Sequence, residues 1–516
     1  MRIAKYILPL FLALVTVSCF EDETTSATRP LSEITIDAQS VSSEYNVNKN
    51  EVLEIAPVVT QANKQLPLSY SWEIDQKVVS NDEVFVYKAT TLGVFDGRLI
   101  VENEDGKAFH PFKLYVNSPY EEGITVLSKD ADGKSMLSFM QKATSPDEEQ
   151  KFYEGDCFSI NNEGLFFASN ASDIIQTSGS VIIACQGSDA SPEDEATIYF
   201  LNEKTFVMEN IVRGGEYPTF KPTKLLTPGE SAEGVSYPVL SADGKVYALP
   251  TYNALLQPSP KLLSTYAQTA FVAGESASYY DVILWDKEVN DITLVYNGYG
   301  PYYCGSKYLL MRNDSAFSSD EYYVKNFSKL KGVRTLTYVH RTKEQMQTAR
   351  RELIAIVEAP LMLQKVVLAT FFWEPVAGKT GEYTVLDNNG FKKAASRTYS
   401  LINENTPCIA NATFKTMLFG NGNKVVKWFY TKEEKEGGKQ YLLEDAEVLL
   451  NVGSDDAVIT SFEISADHKK TYVAFYEPNQ EGLNGSVWVF DTDNGTVLEK
   501  YENVCYQPVK MFYKKK

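Results

Sequence analysis

The sequence predicts an all-β protein with two folded domains. Short runs of alternating apolar and polar residues, bounded by Gly, Asn, Asp or Pro, recur along nearly the whole chain, as in Val84–Tyr87 and Val487–Phe490. Such alternation is typical of a strand with one buried face, and its frequency indicates sheets throughout. The chain of 516 residues is also longer than one ordinary domain.

Residues 1–18 have the layout of a secretory signal peptide. Arg2 and Lys5 precede an apolar run from Tyr6 to Val17, which is too short to span a bilayer because about 20 residues are needed. A cysteine, Cys19, stands at the expected cleavage point. We therefore predict a bacterial lipoprotein in which Cys19 is lipidated and becomes the new N-terminus. The alternative is an ordinary signal peptide followed by an incidental cysteine.

Residues 19–30 are predicted to form a flexible tether. The segment is acidic and rich in Ser and Thr, and such segments are disordered on composition alone. The acidic triplet Glu21–Glu23 directly after Cys19 resembles lipoproteins of Bacteroides-type bacteria that reach the outer face of the outer membrane. This resemblance implies an outer-membrane location, through a lipid anchor, facing the extracellular side.

Charge and composition narrow the classes of partner. Lys plus Arg number 49 against 68 Asp plus Glu, so the net charge is −19, and such a protein repels nucleic acid. Attachment to a membrane must then come from acyl chains and not from a basic patch. The six cysteines are scattered without a CxxC pair and the three histidines lie far apart, so we predict no metal site and no cofactor.

Residues 31–118 are predicted to form an immunoglobulin-like sandwich. Tyr70–Ile74 places one core Trp on a strand, and Gly93–Val101 and Phe112–Val116 form two further strands. The Asp105-Gly106 step between them is expected to supply the positive φ of a tight hairpin.

The Tyr-x-Trp strand, the Gly-x-Phe-x-Gly-Arg-Leu-x-Val strand and the Val-x-Asn-x-Asp-Gly hairpin resemble PKD domains. Together with the lipoprotein start, they make the chain similar to the PKD-like lipoproteins of Bacteroides-type bacteria. The sequence departs from true PKD domains at Glu73–Lys77, where those domains have Asp-Phe-Gly-Asp-Gly.

Residues 121–516 are predicted to form a β-propeller of about seven blades, with six or eight as alternatives. Ser241–Ala248 recurs weakly as Ser465–Ala474, and apolar strands ending in Asn or Asp recur, as in Val282–Asp286. Both copies of this repeat contain a Ser-Ala-Asp turn followed by Tyr, which is typical of propeller blades. Each blade takes about 40 to 60 residues. The strand near Ile124 is expected to pair with the last blade, because an unpaired edge invites aggregation. Two stacked sandwiches are the alternative fold.

An aromatic cluster is the candidate binding site. Glycine and proline mark part of the segment as a loop, where exposed Tyr rings could stack against sugars or peptides. The alternative is that these rings pack between blades. The candidate residues are Tyr279, Tyr280, Tyr299, Tyr302 and Tyr303.

No enzyme motif stands out, so we assign no catalytic residue. The predicted function is non-catalytic binding of a glycan or glycoprotein by a surface lipoprotein. The family resemblance implies a nutrient-uptake system that contains a transporter and capture-lipoprotein pair. Two alternatives remain open: a propeller-based enzyme that degrades polysaccharide or protein, and an assembly subunit of an outer-membrane transporter complex.

Overall fold

The fold is taken from a computed structural model, which divides between Ser118 and Pro119 into two compact units. The residues that the structure describes are 30–142, 156–177, 179–191, 193–226, 237–249, 256–258, 267–276, 279–286, 291–296, 306–309, 331–342, 344–345, 351–358, 366–375, 383–387, 392–393, 401–403, 405–430 and 446–515.

Residues 30–118, the described part of the first unit, contain nine strands. They are β1 (Ile34–Ile36), β2 (Glu44–Asn48), β3 (Val52–Ile55), β4 (Val59–Gln61), β5 (Ser69–Ile74), β6 (Lys77–Ser80), β7 (Phe85–Lys88), β8 (Gly93–Asn103) and β9 (Gly106–Asn117). Five of them form a sheet in the order β2-β9-β8-β5-β6, and β1-β4 and β3-β7 form two-stranded pairs. β2 runs parallel to β9, and every other pairing in the unit is antiparallel.

The core of the first unit surrounds Trp72, as the sequence predicts. The indole is fully buried, stacks on Phe85 with 4.7 Å between ring centroids, and donates from Nε1 to the carbonyl of Asp82 at 3.0 Å. Leu99 and Leu114 from β8 and β9 complete the same cluster. The unit is therefore an immunoglobulin-like β-sandwich.

The turn between β8 and β9 differs from the prediction. The hairpin itself is present, but Gly106 does not adopt the left-handed φ expected of an Asp-Gly step. The Asn103 side chain supports the turn instead, because its Oδ1 accepts from the backbone N–H groups of Asp105 at 2.9 Å and Gly106 at 3.0 Å. Positive φ occurs at Asp75 and Gln76, in the β5–β6 hairpin where the sequence departs from PKD domains.

The second unit contains a short helix, α1 (Cys157–Asn161), and the remaining strands. The described strands fall into seven blades. Blade 1 is β10 (Gly123–Lys129), β11 (Ser135–Gln141) and β37 (Gln507–Lys514); blade 2 is β12 (Ala171–Gln176), β13 (Ser180–Cys185), β14 (Thr197–Asn202) and β15 (Met208–Arg213); blade 3 is β16 (Pro222–Leu225), β17 (Tyr237–Ser241), β18 (Val246–Leu249) and β19 (Gln257–Pro258); blade 4 is β20 (Ala267–Ser276), β21 (Tyr279–Asp286), β22 (Asp291–Tyr296) and β23 (Ser306–Leu309); blade 5 is β24 (Lys331–His340), β25 (Arg351–Glu358), β26 (Val366–Pro375), β27 (Tyr383–Asp387) and β28 (Lys392–Lys393); blade 6 is β29 (Cys408–Asn411), β30 (Thr416–Asn421), β31 (Lys424–Phe429) and β32 (Glu447–Asn451); blade 7 is β33 (Val458–Ile464), β34 (Lys470–Tyr476), β35 (Gly485–Asp491) and β36 (Val497–Cys505).

One strand of each blade forms an inner ring, and we call these seven the inner strands: β37, β12, β16, β20, β24, β29 and β33. β12 contacts both β37 and β16, and β33 contacts both β29 and β37. β24 contacts β20 and pairs in parallel with β29, while β20 contacts β17 of blade 3. The second unit is therefore a β-propeller with seven blades in the described part of the chain, as predicted.

The ring is completed by the two ends of the unit. β10 pairs with β37 along its whole length, from Gly123 opposite Lys514 to Lys129 opposite Gln507. The expected pairing of a strand near Ile124 with the end of the chain is thereby confirmed.

An apolar seam lies between blades 7 and 1, where Tyr472, Val487 and Val489 pack against Ile124 and Val126. Comparable apolar clusters lie between blades 1 and 2, 2 and 3, 5 and 6, and 6 and 7.

Candidate functional site

The sequence-predicted site residues lie largely outside the described residues. Cys19 is among them, together with Tyr299, Tyr302 and Tyr303. Tyr279 and Tyr280 are the first two residues of strand β21, and the structure does not describe their side chains. The tyrosine site and the lipidation of Cys19 therefore stay predictions.

Polar side chains on the inner strands form a second candidate site that sequence reasoning missed. The six residues come from six different blades, and each interacts with at least one of the others by a hydrogen bond or electrostatically. We call them the channel residues; they are Asp173 (β12), Lys224 (β16), Thr337 (β24), Cys408 (β29), Glu463 (β33) and Lys510 (β37).

Asp173 connects three consecutive blades. One carboxylate oxygen accepts from the Lys510 ammonium at 2.6 Å, and the other accepts from the backbone N–H of Leu225 at 2.6 Å. The carboxylate is 5% exposed, whereas the Lys510 side chain is 38% exposed. A charged hydrogen bond to a buried carboxylate is stronger than a neutral one, so this contact stabilises the packing of blade 1 against blade 2. Part of the Lys510 side chain stays exposed to solvent.

Lys224 lies within electrostatic range of Asp173, Lys510 and Cys408. Burial lowers the pKa of Lys224, because an ammonium loses hydration inside the ring. Nearby Asp173 opposes this effect, and Lys510 adds to it.

Glu463 and Cys408 complete the set. Burial raises the pKa of Glu463 to about 7, although Lys510 and Lys515 favour its charged form. Burial also raises the pKa of Cys408 to about 11, while a hydrogen bond from Thr337 acts in the opposite direction. At neutral pH Glu463 is therefore divided between its acid and its carboxylate form, and Cys408 is a thiol.

Two neighbouring histidines lie where β24 of blade 5 and β33 of blade 7 run into the following turns. His340 ends β24, and His468 occupies the β33–β34 turn, where its Nδ1 and the Thr413 hydroxyl are 2.8 Å apart. Burial, together with the neighbouring His468, lowers the pKa of His340 to about 4. Burial lowers the pKa of His468 as well. Both rings are therefore neutral at physiological pH.

Two acidic segments, at Asp130 and at Asp491, form turns that their own side chains stabilise. Asp130 Oδ1 accepts from the backbone N–H groups of Asp132 at 3.0 Å and Lys134 at 2.8 Å, and Asp491 Oδ1 accepts from Asp493 and Asn494 at 3.0 Å. Within the described ranges, no three His, Cys, Asp or Glu side chains come together in a way that could hold a metal ion. Nor does any helix in that part of the chain have the length and apolar character needed to cross a membrane.

Comparisons with known proteins give structural likenesses at low sequence identity. A quinonprotein alcohol dehydrogenase-like protein from Bacteroides thetaiotaomicron is 14% identical, with 93% of this chain and 99% of that chain covered and a TM-score of 0.45. The β-propeller domain of Cps50 (Swd1) from Myceliophteria thermophila is 10% identical, with 64% and 86% covered and a TM-score of 0.34.

A DUF4623 family protein from Bacteroides eggerthii is 11% identical, with 91% and 94% covered and a TM-score of 0.26. No protein-family model matches the sequence, and no curated protein does. The assignment of a propeller rests on the seven blades themselves.

Proposed function

We propose that the chain is a PKD-like surface lipoprotein that binds a glycan or glycoprotein through its propeller. The observation that carries this proposal is the set of channel residues, which places ammonium and carboxyl groups from different blades around one centre. Ligands rich in hydroxyl groups need donors and acceptors together, and few polar groups in a concave site are enough to orient them.

The proposed anchor is Cys19. It is supported by the basic start, the short apolar run and the acidic residues that follow the cysteine. In this proposal the sandwich stands between the tether and the propeller along the chain, where it serves as a spacer from the outer membrane. The nutrient-uptake role, beside a transporter and its capture lipoprotein, belongs to the same proposal.

Membrane attachment is tested by the variant Cys19→Ala in cells supplied with labelled palmitate. We expect the wild-type protein to carry label and to fractionate with the outer membrane, and the variant to lose both properties. Protease treatment of intact cells then tests exposure, because a protein on the outer face is cleaved without lysis. Equal labelling of the variant would overturn the anchor.

Ligand binding is tested with residues 30–516 against a panel of glycans and host glycoproteins. We expect binding without turnover, weakened about tenfold by Tyr299→Ala or Tyr302→Ala if the loop tyrosines stack on the ligand, which corresponds to about 1.4 kcal/mol. Tyr115→Ala in the sandwich is the matched control and is expected to leave binding unchanged. No binding to any member of the panel would refute the proposal.

A propeller-based polysaccharide-degrading enzyme is the second candidate. It is favoured by Glu463, because a carboxyl group with a pKa of about 7 is suited to proton transfer at neutral pH. Release of reducing ends from a polysaccharide by the wild-type protein, lost in Glu463→Gln, would support it. Unchanged polysaccharide after prolonged incubation would exclude it.

A further inference from the structure

A groove of about 370 Å³ lies on the five-stranded sheet of the first unit. It runs across the sheet from Ser43, directly before β2, to Gln76 in the β5–β6 turn. Between these ends lie Gly97 of β8 and Phe112 of β9, which are paired across the two strands. Pockets that bind small ligands commonly have volumes of about 300–1,000 Å³, so the groove is large enough to hold one.

Four charged side chains form the walls of the groove, two cations and two anions. Arg98 donates from Nε at 3.0 Å and from Nη2 at 2.5 Å to the same oxygen, Oε2 of Glu73. The Lys113 ammonium lies 2.5 Å from the Asp96 carboxylate. Because each cation is paired with an anion, the walls are strongly polar but carry no net charge.

The charged groups remain accessible to a ligand. Asp96 and Arg98 alternate along β8 with buried residues, so both side chains point away from the core. The Arg98 and Lys113 side chains are half-exposed, and Asp96 is exposed. In the described part of the chain the Arg98 hydrogen bonds involve Nε and Nη2, so Nη1 can still donate to a ligand. The ion pairs hold donors and acceptors side by side before a ligand arrives, which lowers the entropic cost of binding.

An apolar rim adjoins the charged walls. Pro111 lies opposite Arg98 on the neighbouring strand and lines the groove. Phe109, two positions earlier on β9, is 56% exposed, and its ring centroid lies 5.7 Å from the guanidinium carbon of Arg98. The groove therefore combines exposed apolar surface with fixed polar groups, which is the composition of sites that orient small ligands.

A neutral glycan matches this combination. Its hydroxyl groups both donate and accept hydrogen bonds, and the C–H faces of its sugar rings can pack on an aromatic ring. A charged ligand would be attracted by one member of each ion pair and repelled by the other, so the groove gives it little advantage. We propose that this groove binds a neutral glycan chain, which gives the first unit a binding site of its own in addition to the site proposed for the propeller.

The test is calorimetric titration of residues 30–516 with neutral hexasaccharides of glucose, mannose, galactose, xylose and N-acetylglucosamine. We expect at least one of them to bind. Its affinity is expected to change less than about twofold between about 0.05 M and 0.5 M NaCl, because an uncharged ligand offers no net charge for salt to screen. A tenfold or larger loss of affinity in high salt would show recognition of charge and overturn the assignment.

Two variants act on the groove in different ways. Arg98→Met removes the guanidinium donors and is expected to weaken binding of that hexasaccharide at least about tenfold. Ser43→Trp keeps all four charges and fills one end of the groove with an indole, so a similar loss is expected.

Lys107→Met is the matched control, since the Lys107–Glu102 ion pair joins the same two strands outside the groove and is also half-exposed. It should bind as wild type. Exposed ion pairs contribute little to folding, and melting temperatures verify that each variant is folded. If Arg98→Met fails to fold, Ser43→Trp still decides.

The outcomes separate this site from the one proposed for the propeller. Unchanged affinity in either groove variant, once it is folded, would overturn the groove, and a loss in Tyr299→Ala alone would place the ligand on the propeller. Losses in the groove variants without any loss in Tyr299→Ala would support the groove and count against the loop tyrosines. Failure to bind all five hexasaccharides would overturn the groove, whereas binding of other glycans or glycoproteins would leave the propeller site standing.

Discussion

At the scale of single residues, Trp72 shows how one side chain organises a domain. It is fully buried, stacks on Phe85 and satisfies its only donor on the Asp82 carbonyl. Trp72→Ala removes that packing and leaves a cavity, so the first unit is expected to lose about 3–5 kcal/mol of unfolding free energy. Denaturant unfolding of residues 30–516, followed by circular dichroism, measures the change.

The matched control for Trp72 is Val94→Ala, since Val94 lies on a strand of the same sheet with 60% of its surface exposed. Val94→Ala should change the free energy of unfolding by less than about 0.5 kcal/mol. An equal loss in both variants would mean that the core is not centred on Trp72.

Asp173 is the second residue whose role can be isolated. Asp173→Asn keeps the size of the side chain but weakens its bonds to Lys510 and to the Leu225 N–H. The propeller is expected to lose about 1–3 kcal/mol of unfolding free energy. Thermal unfolding provides the measurement. Lys107→Met is the control, because the Lys107–Glu102 ion pair is about half exposed on both sides and should contribute at most about 1 kcal/mol.

At the scale of the elements, strand alternation was sufficient to find the all-β class, but the internal repeat from which we predicted a propeller does not mark equivalent positions of the blades. Ser241–Ala248 spans the turn between the second and third strands of blade 3, whereas Ser465–Ala474 spans the turn between the first and second strands of blade 7. In both, an Asp side chain accepts from the backbone N–H two residues later. The repeat therefore reflects hairpin chemistry and not an equivalent position in each blade.

Turn conformation was less predictable than turn position. The Asn103 side chain replaces the left-handed glycine that the Asp105-Gly106 step suggested, because it binds two backbone N–H groups of the turn. The β5–β6 turn takes positive φ at Asp75 and Gln76 without any glycine. Local composition gives the place of a turn, while contacts from neighbouring side chains decide its type.

The lowered pKa values of His340 and His468 predict that the propeller is less stable in acid. The folded-state pKa of His340 is about 4, below the ordinary value near 6.5, because burial disfavours the imidazolium. Stability is therefore complete above pH 6.5 and falls as the pH decreases from 6.5 toward 4, by at most about 1.4 kcal/mol per pH unit.

His340→Phe cannot take up a proton, so its unfolding free energy should change less between pH 6.5 and pH 5 than that of the wild type. Urea unfolding at a series of pH values measures this difference. His110→Phe in the sandwich is the control for the loss of an imidazole elsewhere. Parallel curves for wild type and His340→Phe would contradict the assignment.

At the scale of the whole molecule, the propeller depends on its last strand. β37 supplies the pairing for β10, and the buried Lys514 ammonium bonds to the carbonyls of Tyr120 and Glu203. Removing residues 507–516 exposes the edge of β10 and opens the apolar seam between blades 7 and 1.

The truncated chain is expected to lose the cooperative unfolding transition of the propeller and to be cut by protease after residue 118, while the sandwich stays intact. Limited proteolysis with mass spectrometry measures this. The control is removal of Lys515 and Lys516 alone, which leaves β37 whole. A protease-resistant propeller after the longer truncation would show that blade 1 does not need β37.

The same long-range assembly explains why the channel residues could not be found from the sequence. Asp173, Lys224, Glu463 and Lys510 are separated by up to 337 positions, and only the ring of inner strands brings them together. A weak signal was present in the strand sequences. Asp173, Lys224 and Glu463 are each the only charged residue of their strand, and Lys510 shares β37 only with Lys514, the last residue of that strand. Distinguishing such a charge from an ordinary solvent-facing one requires knowledge of which strands are innermost.

The pairing of β10 with β37 also sets an order of events during biosynthesis. At about 5–20 residues per second, roughly 20 to 80 seconds separate the synthesis of these two strands. Throughout that interval blade 1 lacks one of its three described strands, and its exposed edge can recruit other chains. The first strand of the propeller is thus the element that waits longest for its partner strand.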